Sequence, residues 1–261
     1  MRRQTETHQH PRVVDFFICG TQKGGTTALY SYLRDHPEVC MSDQKEVHFF
    51  DREDGTFATH QTYSDFHSWF SIKASHKTVG EATPIYMYWY NSPRRIWEYN
   101  SDAKLIIILR NPIERAFSHW NMECKRNNDT LPFWDAIKKE RERCRETLPF
   151  QHRIYSYIDR GFYLEQLRRI WFFFPKEQTL ILKNENLRNS PKLTLNTVCD
   201  FLEIPHFKNI RQKLVHNTPY TTSMNKKERN YLIKKYYCEI KSLEKELGWD
   251  CSDWLNGNTR Q

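Results

Sequence analysis

The segment from Phe16 to residue 33 constrains the fold of this chain more than any other feature. Its apolar start, residues 16–18, indicates a buried strand, and residues 28–33 indicate a helix. Between them lies a turn that holds three glycines, three threonines and Lys23. A strand, a glycine-rich turn and a helix in this order form an anion cradle, because N–H groups at the helix N-terminus point outward and the glycines let a ligand come close. The sequence therefore predicts a phosphate-bearing ligand near Lys23.

The spacing in this turn differs from that of a nucleotide-hydrolysing loop. A Walker loop has a glycine, four residues, and then Gly-Lys-Ser/Thr. Gly20 and Gly25 have that separation, but Thr26 stands where the lysine is needed, and the next strongly apolar run ends in Arg110 rather than a metal-holding aspartate. A magnesium-dependent P-loop nucleotide kinase lacks two of its parts, and it stays open as the alternative from another class. The dinucleotide fingerprint Gly-x-Gly-x-x-Gly does not occur in the sequence.

Two segments resemble those of the sulfotransferases that use 3′-phosphoadenylyl sulfate (PAPS). Residues 20–29, GTQKGGTTAL, resemble the loop that binds the 5′-phosphosulfate, and residues 104–118, KLIIILRNPIERAFS, resemble the segment that binds the 3′-phosphate. The branch that the chain resembles most holds the heparan sulfate sulfotransferases and related bacterial enzymes. The similarity covers most of the chain from about residue 13 onward, and it continues through residues 45–51, 80–84 and 160–163.

Apolar runs with strand and helix patterns alternate along the chain and predict an α/β fold. The strand candidates are residues 13–18, a short piece near Val39, and residues 77–79, 105–109 and 178–182. The helix candidates are residues 26–35, 92–99, 113–127, 133–145, 162–173 and 192–202, with a long amphipathic helix near the end that Gly248 closes.

This alternation predicts a central parallel sheet flanked by helices on both faces, with ligands beyond the carboxyl ends of the strands. The resemblance implies the P-loop-like three-layer version of that fold. Lys23 and Arg110 each follow a strand, so the two motifs are expected to converge on one edge of the sheet. We expect one domain over residues 13–261, preceded by a mobile tail over residues 1–12.

Composition agrees with an anionic ligand. The chain has 40 basic and 32 acidic residues, a formal net charge of +8. That charge also suits nucleic acid, but the basic residues are interleaved with glutamates, as in residues 138–143, which is typical of a solvated helix face.

No run reaches the roughly 18–20 apolar residues that cross a bilayer, and seven scattered cysteines indicate reduced thiols. We therefore expect a cytoplasmic enzyme with no nucleic-acid or membrane partner; the oligomeric state stays open.

The resemblance implies in-line sulfuryl transfer, in which negative charge grows on the oxygen that bridges phosphorus and sulfur. Such a reaction needs a cation at that oxygen, a base for the acceptor and firm positioning. Lys23 is the expected cation. The backbone amides of Gly24, Gly25, Thr26 and Thr27 are expected to hold the 5′-phosphate, and the scheme needs no metal.

The 3′-phosphate needs fixed positive charge and a hydroxyl donor. Arg110 at a strand end and Ser118 on the following helix are expected to meet around it, since the planar guanidinium binds two oxygens at once. Arg115 is expected to face solvent or an acid. Tyr163 resembles the family position that supports the nucleotide, and Asn217 lies where relatives carry a loop that closes over it, although the pattern there matches poorly.

Glu46 and His48 are the candidates for the base. In extended chain, alternate residues share a face, so both side chains are expected in the same cleft. The resemblance makes Glu46 the general base, with His48 and Asp51 orienting it or the acceptor. His48 stays a rival, because its ordinary pKa lies near neutrality, whereas a carboxylate needs its pKa raised by burial.

The acceptor is constrained by one departure from the family pattern. Relatives that act on acidic glycans tend to carry a lysine where Ala82 stands in this chain. The rings of residues 85–90, Tyr86 among them, are expected to line a pocket for a compact or cationic molecule. We therefore expect a small-molecule hydroxyl (less readily an amine) as acceptor, as in the tailoring sulfotransferases of cyanobacterial alkaloid toxins such as the cylindrospermopsin type. A glycan O-sulfotransferase is the alternative.

Overall fold

The computed structural model describes residues 12–53, 62–210 and 222–256. Its strands form one parallel sheet in the order β2-β3-β1-β4-β5, which confirms the α/β prediction and each of the expected strands. The strands are β1 Phe16–Gly20, β2 Val39–Met41, β3 Thr78–Ala82, β4 Lys104–Leu109 and β5 Thr179–Lys183.

The expected helices are present, and three short ones join them. The helices are α1 Thr26–Arg34, α2 Tyr63–His67, α3 Ser92–Tyr99, α4 Pro112–Lys125, α5 Phe133–Arg143, α6 Tyr163–Phe173, α7 Asn184–Asn189, α8 Pro191–Leu202, α9 Lys226–Leu247 and α10 Ser252–Leu255. The short helices α2, α7 and α10 were not predicted, because four to six residues are too few to show a helical period. Gly248 closes α9 with a positive φ of 64°, as expected.

The sheet is covered on both faces, so the fold has three layers. Phe16 and Ile18 of β1 belong to one apolar cluster, which α1 and α8 complete, for example through Leu29. Phe17 points to the opposite face, into a larger cluster that includes side chains of α3, α4, α6 and α9. Every residue of β1 is buried, as expected for a strand of a parallel sheet that is covered on both faces.

The strand order brings three carboxyl ends together. Because β1 lies between β3 and β4, the turn that holds Lys23, the end of β3 at Ala82 and the residue after β4, Arg110, all lie at one edge of the sheet. The Nη1 atom of Arg110 donates to the carbonyl oxygen of Lys23 at 3.3 Å. The predicted convergence of the two motifs is confirmed.

Several expectations need correction or lie outside the described residues. Arg115 is fully buried and donates to the carbonyl oxygen of Tyr157, so it does not face solvent. The predicted tail lies outside the described residues except for Arg12, which donates to the carbonyl oxygen of His76 at 2.8 Å. Asn217 also lies outside them. All seven cysteines are free thiols.

Candidate active site

The turn after β1 is pressed against β4. Thr21 donates its backbone N–H to the carbonyl oxygen of Ile108 at 2.9 Å, and Gly24 donates to Thr21 at 2.8 Å. A Cβ on Gly24 would overlap the carbonyl oxygen of Ile108, so this position requires glycine. Gly25, at a φ of 106°, is the N-cap of α1 and provides no side-chain acceptor to the first turn. The first N–H groups of α1 are left for an external anion, and the turn fits a phosphate.

Lys23 lies in this turn in a left-handed backbone conformation, with a φ of 67°. Burial lowers the pKa of its ammonium group, and the charges of Arg110 and then Arg126 lower it further. The carboxylates of Glu46 and Glu123 act in the opposite direction without reversing the shift. Positive charge thus dominates around Lys23, which favours a bound anion. Sequence alone did not single out Arg126, although it follows Ser118 by eight residues and so shares its helix face.

Of the residues expected at the nucleotide, Tyr163 contacts Arg110 directly. Ser118 is two turns into α4 and 5% exposed. Tyr163 is fully buried and donates its hydroxyl to the carbonyl oxygen of Arg110 at 2.7 Å, so it holds the end of β4 from inside. Asn184, which the sequence did not single out, donates to the carbonyl oxygen of Gly24 at 2.7 Å and fixes the turn from the β5 side.

The base loop, residues 45–51, is held by an unusual set of hydrogen bonds. Five consecutive backbone N–H groups donate to the end of β3 and the turn that follows it, and most of the acceptors are side chains. Glu46 donates to Ala82 O (3.0 Å), Val47 to Glu81 Oε1 (3.3 Å), His48 to Thr83 Oγ1 (3.4 Å), and Phe49 and Phe50 to the Tyr86 hydroxyl (3.0 and 3.4 Å).

The expectation of an extended base loop is wrong. Glu46 and His48 have positive φ values of 63° and 57°, and both lie in the left-handed region. Their side chains nevertheless meet, with His48 Nε2 at 3.7 Å from Glu46 Oε2. The hydrogen bonds to β3 supply the restraint that keeps two non-glycine residues in this conformation.

Charge in the base loop is arranged around His48. Burial by itself lowers the pKa of His48, but hydrogen bonds to Asp51 and Glu46 and their charges raise it to about 9. Burial by itself raises the pKa of Glu46, but the hydrogen bond from His48 and the charge of Lys45 bring it down to about 2. Asp51 is fully buried, accepts from His48 Nδ1 at 2.9 Å, and is bound by Arg153 Nη1 at 2.5 Å. The loop is a chain of ionised groups at neutral pH.

These pKa shifts differ from what the sequence led us to expect of the two base candidates. The pKa of Glu46 is lowered, not raised as expected, because its hydrogen-bond and charge partners outweigh burial. Beside the base loop, Glu81 is a carboxyl group with a raised pKa: burial brings it to about 7 while Thr83 donates to it at 2.5 Å. His48 is protonated at neutral pH, which leaves Glu46 as the ionised acceptor of the pair.

The ring-lined pocket expected from residues 85–90 is not formed. Tyr86 is fully buried and its hydroxyl serves the base loop, so it does not line a cleft. Trp89 is 3% exposed, and only Tyr90, at 64%, presents a large ring surface to solvent. The rings turn inward because they pack against the rest of the apolar cluster on that face of the sheet.

Comparison with known proteins agrees with this arrangement. A model of the sulfotransferase domain matches residues 14–247. The chain belongs to the sulfotransferase family. Its sequence is 32% identical over 189 residues to human heparan sulfate glucosamine 3-O-sulfotransferase 3B1, covering 71% of this chain and 45% of that protein. It is 23% identical over 317 residues to the membrane-associated sulfotransferase kil1 of Dictyostelium discoideum, covering 93% of this chain and 66% of that one.

A solved structure resembles the sulfotransferase over nearly its whole length. The sulfotransferase of Alicyclobacillus acidocaldarius superimposes with a TM-score of 0.80 at 27% identity, covering 93% of this chain and 99% of the other. The sulfotransferase described here spans only about half to two thirds of the curated relatives above. Among its described residues, no helix is both long and apolar enough to span a membrane.

Proposed function

We propose that this sulfotransferase moves the sulfuryl group of PAPS to a hydroxyl group, with Glu46 as the base and Lys23 stabilising the leaving phosphate. The observation that carries the proposal is the contact between Arg110 and Lys23, which joins the two phosphate-type motifs at one sheet edge. Glu46, a candidate base, acts electrostatically on Lys23 from the base loop, where its backbone N–H donates to Ala82 at the end of β3.

The turn after β1 has the features needed to hold PAPS. The N–H groups of Gly25, Thr26 and Thr27 would bind the 5′-phosphosulfate, and Arg110 with Ser118 on α4 would bind the 3′-phosphate. The Gly24 N–H, expected to join them, instead donates to the carbonyl oxygen of Thr21 at 2.8 Å. When bound, PAPS supplies an activated sulfuryl group and a phosphate leaving group. Lys23 then places a fixed cation where negative charge grows, in a half-buried site where its effect is larger than in water.

The charges of the base loop indicate which group accepts the proton of the acceptor hydroxyl. At neutral pH Glu46 is ionised and His48 carries a proton, so a hydroxyl that reaches the pair finds one acceptor, the Glu46 carboxylate. Asp51 keeps His48 protonated and oriented through Nδ1. The resulting assignment is Glu46 as base and His48 as the group that holds it and the acceptor oxygen.

For the acceptor we propose a small hydroxylated molecule, with a glycan hydroxyl as the second candidate. Ala82 supports the first, because a cation is missing at the position where relatives of acidic-glycan specificity carry lysine. The identity of 30–32% to several heparan sulfate glucosamine 3-O-sulfotransferases favours the second. The inward packing of Tyr86 removes one argument for a ring-lined pocket.

The donor site is tested by thermal unfolding of the wild type and Arg110→Ala with adenosine 3′,5′-bisphosphate, with and without Mg²⁺, and with ATP plus Mg²⁺. A ligand of the native state raises the apparent stability. We expect a metal-independent increase in Tm that Arg110→Ala abolishes. Stabilisation only by ATP with Mg²⁺ would favour the kinase alternative.

Transfer of ³⁵S from labelled PAPS to small alcohols and to desulfated heparan, measured side by side, then decides between the two acceptor classes.

A further inference from the structure

Arg160 is a buried cation with an unusual set of partners. It lies in the 3₁₀ turn Asp159–Gly161, is 1% exposed, and donates from Nε to Ser156 Oγ at 2.8 Å. Its Nη1 donates to Gln22 Oε1 at 2.5 Å, and its Nη2 donates to the carbonyl oxygen of Arg153 at 2.6 Å. One guanidinium therefore holds the turn after β1 through Gln22 and the chain at Arg153 at the same time.

Arg153, whose carbonyl oxygen Arg160 binds, also contacts the base loop through its own side chain. The side chain of Arg153 lies over the ring of Trp89, 4.2 Å from its centroid, and binds Asp51 Oδ2 at 2.5 Å. Asp51 in turn accepts from His48 Nδ1, and His48 Nε2 faces Glu46. A continuous chain of polar contacts thus runs from Gln22, next to Lys23, to the Glu46 carboxylate.

The hydrogen bonds of Arg160 do not depend on its positive charge as an ion pair would. The acceptors of its hydrogen bonds are a hydroxyl, an amide and carbonyl oxygens, all of them neutral. Burial lowers the pKa of Arg160 to about 10, which still leaves it charged at neutral pH. Burying a cation without a carboxylate partner is unfavourable. The planar fork, which reaches three segments at once, is the property that a lysine could not replace.

We infer that Arg160 is a positioning residue that fixes the donor turn and the base loop relative to each other. The inference rests on the proposed function, because it takes Lys23 and Glu46 as the two ends that must be aligned. In-line transfer requires the acceptor oxygen and the sulfuryl group to be held at one distance and angle, so an error at either end lowers the rate. Arg160 touches neither end and acts through Gln22 and Arg153.

The test compares Arg160→Lys with Arg169→Lys. Arg169 is a matched control, since its side chain is also largely buried and donates to the carbonyl oxygens of Met87 and Tyr88, but not to Gln22 or to the base loop. We expect Arg160→Lys to lower kcat by about 10-fold or more, with KM for the acceptor changed by less than about 3-fold, and Arg169→Lys to change neither by more than about 3-fold.

A second readout does not depend on activity. The pKa of His48, followed by its ring proton resonances, is measured with and without adenosine 3′,5′-bisphosphate. We expect the ligand to shift this pKa in the wild type and in Arg169→Lys, and the shift to be at least halved in Arg160→Lys. Equal kcat and equal shifts in the two variants would overturn the inference.

A double-mutant cycle covers the case in which Arg160→Lys does not fold. Gln22→Ala removes the donor-side contact, and Arg153→Lys removes the base-side fork. If Arg160 links them, the loss of kcat in the double variant is smaller than the product of the single losses; independent losses that multiply contradict the link.

The variant Glu46→Gln distinguishes failure of the proposed base from failure of the link. An active Glu46→Gln overturns the proposed base and the link together, whereas an inactive one with multiplying losses overturns the link alone.

Discussion

The guanidinium of Arg110 donates to the backbone carbonyl oxygen of Lys23 at 3.3 Å. The contact joins the segments that follow β4 and β1, which are neighbouring strands of the sheet. Tyr163 fixes Arg110 from the other side by donating to its carbonyl oxygen. The two proposed phosphate pockets are therefore built on one connected pair of segments, and Lys23 is the point where they meet.

Replacing Lys23 tests whether its positive charge stabilises the leaving phosphate. We expect Lys23→Ala to lower kcat by about 100-fold or more, because a cation aimed at developing charge contributes mainly to the transition state. Stabilisation by adenosine 3′,5′-bisphosphate should be largely kept, since backbone N–H groups and Arg110 remain. Initial rates and thermal shifts measure both. Lys176→Ala, an exposed lysine paired with Glu246, is the control and should behave as wild type. A Lys23→Ala enzyme with wild-type kcat would exclude Lys23 from the chemistry.

His48 is expected to titrate near pH 9. Its folded pKa is raised above the ordinary 6.5, so its contribution to stability is full below about pH 6.5 and is lost as pH rises through about 9. The Tm difference between the wild type and His48→Asn should therefore shrink between pH 6 and pH 10. Ring-proton NMR gives the pKa directly, and Asp51→Asn should lower it. A titration midpoint near 6.5 in the wild type would contradict the ion pairs described for the base loop.

Glu81 also makes the free energy of unfolding depend on pH, but the cause is a buried neutral acid rather than a paired cation. Its buried carboxyl group has a pKa raised to about 7 from the ordinary 4.5, so the folded protein binds a proton there that the unfolded chain releases. The free energy of unfolding should fall as pH rises from about 4.5 to about 7, by an amount on the order of 3 kcal/mol. Glu81→Gln should lose this dependence. Urea unfolding of both proteins across this range measures it, and parallel curves would place the pKa of Glu81 at its ordinary value.

Tyr86 supports the base loop through its hydroxyl. Tyr86→Phe leaves the N–H groups of Phe49 and Phe50 without this acceptor, and we expect a loss of about 1–3 kcal/mol in the free energy of unfolding together with reduced kcat. Tyr99→Phe is the matched control, because the Tyr99 hydroxyl accepts from Val14 N at 2.8 Å, away from the base loop. It should lower stability and leave kcat unchanged. Equal activities of the two variants would show that the tyrosine hydroxyl plays no part in holding the base.

Left-handed backbone conformations are concentrated at the proposed catalytic residues. Lys23, Glu46 and His48 are three of the five non-glycine residues with positive φ in the described part of the chain. Such a conformation disfavours residues with a Cβ by roughly 1–2 kcal/mol. Glu46→Gly should therefore be more stable than Glu46→Ala, and both should be inactive. Asn127, at a φ of 61°, supplies the same glycine–alanine comparison outside the site. Equal melting temperatures within each pair would show that the backbone there is not strained.

The layout of the sheet was predictable because β1 and β4 are apolar runs, each followed by a motif. The helices that were missed, such as α7, are too short to show a period. The shape of the base loop could not be predicted, since its acceptors on Glu81, Thr83 and Tyr86 lie more than thirty residues away and no local signal marks a left-handed glutamate. Arg160 was noticed only as part of a motif, because its main partner, Gln22, is 138 residues distant in sequence.

The hydrogen bonds of the base loop also set its length. Five successive donors are matched to fixed acceptors on Glu81, Ala82, Thr83 and Tyr86, so one residue more or less between Met41 and Phe50 would break these pairs and displace Glu46. Surface loops ordinarily accept insertions with little penalty. This connection should instead vary in its side chains while keeping a constant number of residues, as a strand would.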